Sequence, residues 1–169
     1  MTHRLLIMGS IAIGALIQLF LPTWPALGGI KPPVLAALVL YYALQHSTRN
    51  MWLAVFLAAL LHDSFDLGGF GPALLGFPAI ALLAHRVRLE IFVDGLVTQV
   101  IFGALGAMLA MLIAALVYAI TGQRPFHFGL ILLRILGAGV LGAITLPVVS
   151  QLLKKIEATL PRKRGYNWQ

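Results

Sequence analysis

A chain of 169 residues that is 60% apolar and only 10% charged, with a mean hydropathy of +0.96, is not a water-soluble globule; those carry about 25% charged residues. At about 20 residues per crossing, this length holds at most about six membrane-spanning helices and leaves no room for a large soluble domain. The net charge of +7 sits in short clusters between apolar runs, a pattern that orients membrane helices and differs from the basic face of a nucleic-acid-binding domain. The chain has no cysteine, which excludes disulfides and thiol chemistry.

The first apolar segment covers residues 5–21, behind Met1-Thr2-His3-Arg4. A basic start before an apolar stretch also describes a signal peptide, but more membrane-type sequence follows, so a retained first helix is expected. Pro22-Thr23-Trp24-Pro25 ends it, and Trp24 suits a membrane–water interface. Gly28-Gly29-Ile30-Lys31-Pro32-Pro33 then forms a tight loop into the next helix, where proline is tolerated in the first turn.

Segments two and three, residues 34–45 and 51–61, flank the polar turn His46-Ser47-Thr48-Arg49-Asn50. They rise only about 16–18 Å against about 30 Å of hydrocarbon, so either their polar flanks extend them or the bilayer thins locally. A glycine-rich break with two carboxylates follows, His62-Asp63-Ser64-Phe65-Asp66-Leu67-Gly68-Gly69-Phe70-Gly71-Pro72. Segment four spans residues 73–84 and contains Pro78, a kink-former. After the charged turn His85-Arg86-Val87-Arg88-Leu89-Glu90 comes segment five, residues 91–120, and after Thr121-Gly122-Gln123-Arg124-Pro125 segment six, residues 126–153. Residues 154–169 form a short basic tail. The expected fold is a single all-α domain, a compact bundle of six transmembrane helices.

With six spans, Arg4, Arg49, Arg86, Arg88, Lys154, Lys155, Arg162, Lys163 and Arg164 fall on the side of the termini, and only Lys31 and Arg124 on the other. This bias puts both termini in the cytoplasm and supports counting the two short segments as crossings. The remaining basic residue, Arg134, lies inside segment six.

Charges within a membrane are costly and are functional candidates by default. Asp63 and Asp66 stand at the outer end of segment three, and Arg134 lies about 12 Å from the outer end of segment six. An Asp63–Arg134 ion pair is the expected arrangement, as a packing device in preference to a transport site; an outward-snorkelling arginine is the alternative. His62, Asp63 and Asp66 have ligand chemistry but no metal-site spacing, and turn formation accounts for them, so no metal is expected. His85 reads as an interfacial residue on the cytoplasmic side, and His127 as a residue of the outer loop. No nucleophile with an acid–base partner, phosphate loop or HExxH motif occurs, so neither an enzyme nor a cofactor is expected. Small residues four apart include Gly103/Ala107, Gly106/Ala110, Ala138/Gly142 and Gly139/Ala143. They permit close helix contact around Gly103, Gly106, Gly139 and Gly142, either inside the bundle or with a partner's helix.

The approach Lys31-Pro32-Pro33, then Tyr41-Tyr42-Ala43-Leu44, then the stretch from Ala58-Ala59-Leu60-Leu61-His62-Asp63 through Gly68-Gly69-Phe70-Gly71-Pro72-Ala73-Leu74 resembles the rod shape-determining protein MreD family. The likeness covers residues 30–90 and extends elsewhere only in hydropathy and length. Pro33 stands where the family often has an acidic residue, and the turn Asp66-Leu67-Gly68-Gly69-Phe70-Gly71 is not its commonest form. The resemblance implies a non-catalytic inner-membrane scaffold of the bacterial elongation machinery. Its implied partners are MreC, the actin-like MreB, and the rod-type glycan polymerase with its transpeptidase. The general shape is also similar to the substrate-binding subunits of energy-coupling-factor vitamin transporters, which form the alternative. A cation path through Asp63 and Asp66 is a third reading.

Overall fold

A computed structural model describes residues 2–65, 71–88, 95–122 and 127–159. Among these the chain is all-helical, with six α-helices: α1 (Thr2–Phe20), α2 (Val34–Gln45), α3 (Thr48–Phe65), α4 (Pro72–Val87), α5 (Leu96–Thr121) and α6 (Phe128–Thr159). A single 3₁₀ turn, Pro25–Leu27, lies between α1 and α2. The connection is pinned by a backbone bridge between Trp24 and Ile30.

The helix limits follow local chemistry. α2 starts behind Pro32-Pro33, which contribute no N–H, and the Leu35 N–H of its first turn is taken by Gln18 Oε1 of α1 at 2.8 Å. α5 ends at Gly122 in the left-handed region (φ 68°), where glycine carries no Cβ penalty. α3 runs past the apolar stretch 51–61 at both ends, so its polar flanks do extend the helix. α6 likewise continues beyond residue 153 to Thr159, and α4 continues through Pro78.

α2 is the centre of the bundle. It touches every other helix, and residues 34–44 are all buried. A helix apolar on all sides is one enclosed on all sides. Consecutive helices alternate in direction around it. Gln18, near the end of α1, meets the start of α2, whereas His46 at the end of α2 meets Arg88 after α4 and Glu157 near the end of α6. This gathers Arg49, Arg86, Arg88, Lys154 and Lys155 at one end, with Lys31 at the other.

The outward faces are apolar. Phe20, Val97, Ile120, Phe128 and Ile144 are all more than half exposed, and they belong to helical faces that water would leave uncovered. α5 and α6 are long and apolar enough to cross a membrane, and only 17% of the most apolar stretch of α5 is buried inside the bundle. The core helix of a soluble protein would be mostly enclosed. α1, α2 and α4 are shorter apolar helices.

Candidate functional site at the loop end of the bundle

The first helical turn of α4 leaves its N–H groups without intrahelical partners. Its N-cap is Gly71, which has no side chain to accept them and sits at φ 145°. Asp63 of α3 supplies the acceptors instead. Its Oδ2 accepts the N–H groups of Gly71 at 3.0 Å and Leu74 at 3.2 Å, and its Oδ1 accepts that of Ala73 at 3.0 Å. Asp63 is buried, so these donors hold its charge and it in turn holds the start of α4 against the end of α3.

The expected Asp63–Arg134 ion pair does not form. The Asp63 carboxylate is occupied by backbone donors, and Arg134 reaches in another direction. Its Nε donates to the carbonyl of Gly28 at 3.0 Å. Gly28 has φ +80°, and a Cβ there would stand 2.7 Å from Arg134 Cγ. One residue earlier, the Leu27 carbonyl lies so close to α6 that a Cβ on Gly137 would sit 2.7 Å from it. Arg134 and Gly137 thus dock the loop before α2 onto α6. The sequence marks Arg134 as a charge needing a partner; it carries no sign that the partner is a carbonyl 106 residues earlier.

Asp66, Gly68 and Gly69 lie outside the described residues, whereas Gly71 caps α4. His62 Nδ1 is 3.9 Å from Asp63 Oδ1, beyond hydrogen-bonding distance, and its ring meets Phe77 edge-on. Among the described residues no group of three or more His, Asp and Glu is placed to hold a metal.

The four small-residue positions face other helices of this chain. A Cβ on Gly103 would lie 2.2 Å from the Gly142 carbonyl oxygen, and one on Gly142 would lie 2.3 Å from that of Gly103. Here α5 and α6 meet backbone to backbone. Gly106 faces the Leu40 side chain of α2, and Gly139 faces Met108 of α5. None of them is open to a partner's helix.

Two features escaped the sequence reading. At the opposite end, Tyr41 donates to Glu157 Oε2 at 3.0 Å, and His46 Nε2 lies 3.1 Å from Glu157 Oε1. His85, read as merely interfacial, lies within hydrogen-bonding distance of the Ala43 carbonyl and of Thr48 Oγ1. At the loop end there is a cavity of about 410 Å³. It exists because α2 is short. α2 begins at Val34, where Ala36 and Ala107 line the same small gap, while α5 continues to Tyr118 on the cavity wall, about 16 Å further along.

Comparison with family models gives no match to this chain. Comparison with curated proteins gives none, and comparison with solved structures gives none.

Proposed function

We propose that this chain is a non-catalytic membrane scaffold of the bacterial cell-elongation machinery, working in the manner of MreD beside MreC. MreB and the rod-type polymerase with its transpeptidase would be the further members of the complex. It would cross the inner membrane six times with both termini in the cytoplasm. The observation that carries this reading is the contact of Asp63 with the first turn of α4. The stretch that resembles the family, residues 58–74, is where a buried carboxylate, Asp63, closes one helix onto the next. The aspartate serves architecture, as a scaffold requires. The apolar outer faces of α1, α5 and α6 are the surfaces left for lipid and for a partner's helix.

The test is recovery from native membranes of a rod-shaped bacterium carrying a tagged chain. MreC is expected among the co-purified proteins, and depletion is expected to round the cells. Recovery with a pair of ATPase subunits, or a vitamin retained in stoichiometric amount, would replace this reading with the transporter one. That second reading is favoured by the cavity at the loop end, a feature a vitamin-binding subunit needs and a scaffold does not.

A further inference from the structure

The cavity above α2 has a lining with a definite chemical sign. Its volume of about 410 Å³ falls within the range of small-molecule sites. Small side chains of α5, among them Ala107, Ala110 and Ala114, leave the space open, and the rings of Phe65, Phe77 and Tyr118 form apolar walls. Its polar side chains are those of Gln18, Thr23, Lys31 and His62, with the phenol of Tyr118. Lys31 is cationic, and among the described residues no Asp or Glu lines the space. Asp63, the neighbour of His62, is held by the α4 backbone. The amide oxygen of Gln18 is engaged by Leu35, and Lys31 Nζ donates one bond, to the Leu19 carbonyl at 2.8 Å. An ammonium has three protons to donate, so donor capacity remains. His62 Nδ1 is buried and lies 3.9 Å from Asp63 Oδ1, so Lys31 is the charged donor left for a ligand.

We infer that this cavity binds a small organic carboxylate with a ring-containing apolar body, its anionic group held by Lys31 and its rings against Phe77 and Tyr118. An apolar body accounts for the alanine and aromatic walls, and a single negative charge for Lys31 unopposed by any described carboxylate. A neutral ligand of the same shape would leave the lysine unpaired. The inference draws on the cavity that favours the transporter reading and does not rest on the scaffold reading; partner recovery tests the scaffold, and probe binding tests the cavity.

Trp24 adjoins the lining residue Thr23 and reports on occupancy. The probe is 6-bromo-2-naphthoate, whose bromine quenches indole fluorescence at short range, titrated into full-length Trp52→Phe/Trp168→Phe protein in zwitterionic nanodiscs. Saturable one-to-one quenching is expected. It should be weakened about tenfold in Lys31→Gln, since a charge-assisted hydrogen bond is lost. The uncharged 6-bromo-2-naphthalenemethanol should bind both proteins equally weakly. Ala114→Phe, which fills the space, should abolish quenching. Should Ala114→Phe fail to fold, the acid-against-alcohol difference at Lys31 decides alone. Non-saturating quenching, equal affinity of the wild type for acid and alcohol, or unchanged affinity in Lys31→Gln would overturn the inference. So would quenching of Trp24 by brominated phosphatidylglycerol that the naphthoate cannot displace, because a lipid chain would then be the occupant.

Discussion

Replacing Asp63 by alanine should be the most damaging single change in the α3–α4 region, and its size can be worked from the geometry. Three backbone N–H groups lose their acceptors, those of Gly71, Ala73 and Leu74. A buried donor left unpaired costs about 1–3 kcal/mol, and loss of an ordinary N-terminal cap costs about 0.5–2 kcal/mol. Gly71 and Leu74 are partly buried contacts that water can in part replace, so the sum falls near 3–5 kcal/mol. Asp63→Asn keeps one carbonyl oxygen. That oxygen can take the place of Oδ2, which serves two of the three donors, so the loss should be about 1–2 kcal/mol. Equilibrium unfolding by SDS in mixed micelles gives these differences directly. The same assay addresses Arg134. Because Asp63 and Arg134 have separate partners, the losses from Asp63→Asn and Arg134→Gln should add to within about 0.5 kcal/mol. An Asp63→Ala protein within about 0.5 kcal/mol of wild type would refute the capping argument. A coupling energy well above about 0.5 kcal/mol in the double variant would show that the two charges communicate after all.

Gly103→Ala and Gly142→Ala should each destabilise by about 1–3 kcal/mol or more, because the new methyl meets opposing backbone that cannot rotate away. Gly106→Ala, which meets only the flexible end of Leu40, should cost less than half as much in the same unfolding assay; equal losses would contradict the backbone contact between α5 and α6. Gly28→Ala combines a left-handed backbone with a clash against Arg134 and should cost about 1–2 kcal/mol, with faster amide exchange in residues 24–30 and no change at the opposite end of the bundle. A single cysteine at Ser47, in this cysteine-free chain, should react with a membrane-impermeant maleimide only after the cytoplasmic side is opened. Labelling of intact cells from outside would refute the six-crossing topology.

The helices were legible where apolar runs are bounded by residues that break them. α2 is the clearest case, since Pro33 precedes it and His46 follows it in extended backbone. Apolarity is a poor guide to helix ends where nothing breaks the backbone. Thr48-Arg49-Asn50 and His62 through Phe65 remain helical in α3 because the ladder of backbone hydrogen bonds does not depend on what the side chains contact. The site was legible in its parts but not in its pairings. Asp63 and Arg134 stand out in any hydropathy profile, and opposite charge is the simplest rule for joining them. The rule fails because helix ends and loops offer unpaired N–H and C=O groups that serve a buried charge equally well. The spacing of the glycines shows that something approaches closely; which helix it is depends on the rotation of α5 and α6, which spacing alone does not fix.

The cavity follows from one of the two short segments that the sequence exposed, the central apolar segment of 12 residues. Such a helix rises about 18 Å, well short of the roughly 30 Å of a hydrocarbon core. A bilayer could thin to meet it only if it faced lipid, and it faces no lipid: every residue from Val34 to Leu44 is buried among the other helices. In the membrane placement proposed above, the mismatch has to be absorbed within the protein. Part of the missing length is supplied by the loop that Arg134 and Gly137 dock onto α6. What remains is space walled by the ends of α1 and α3, the start of α4, and α5 as far as Tyr118. In that placement the loop's irregular backbone is tolerated, because it is docked on α6 and lines the cavity. Closing the space would have needed only larger residues on α5, yet Ala107, Ala110 and Ala114 stand there. The short helix and the small wall residues are separate features of the sequence, and they meet at this cavity.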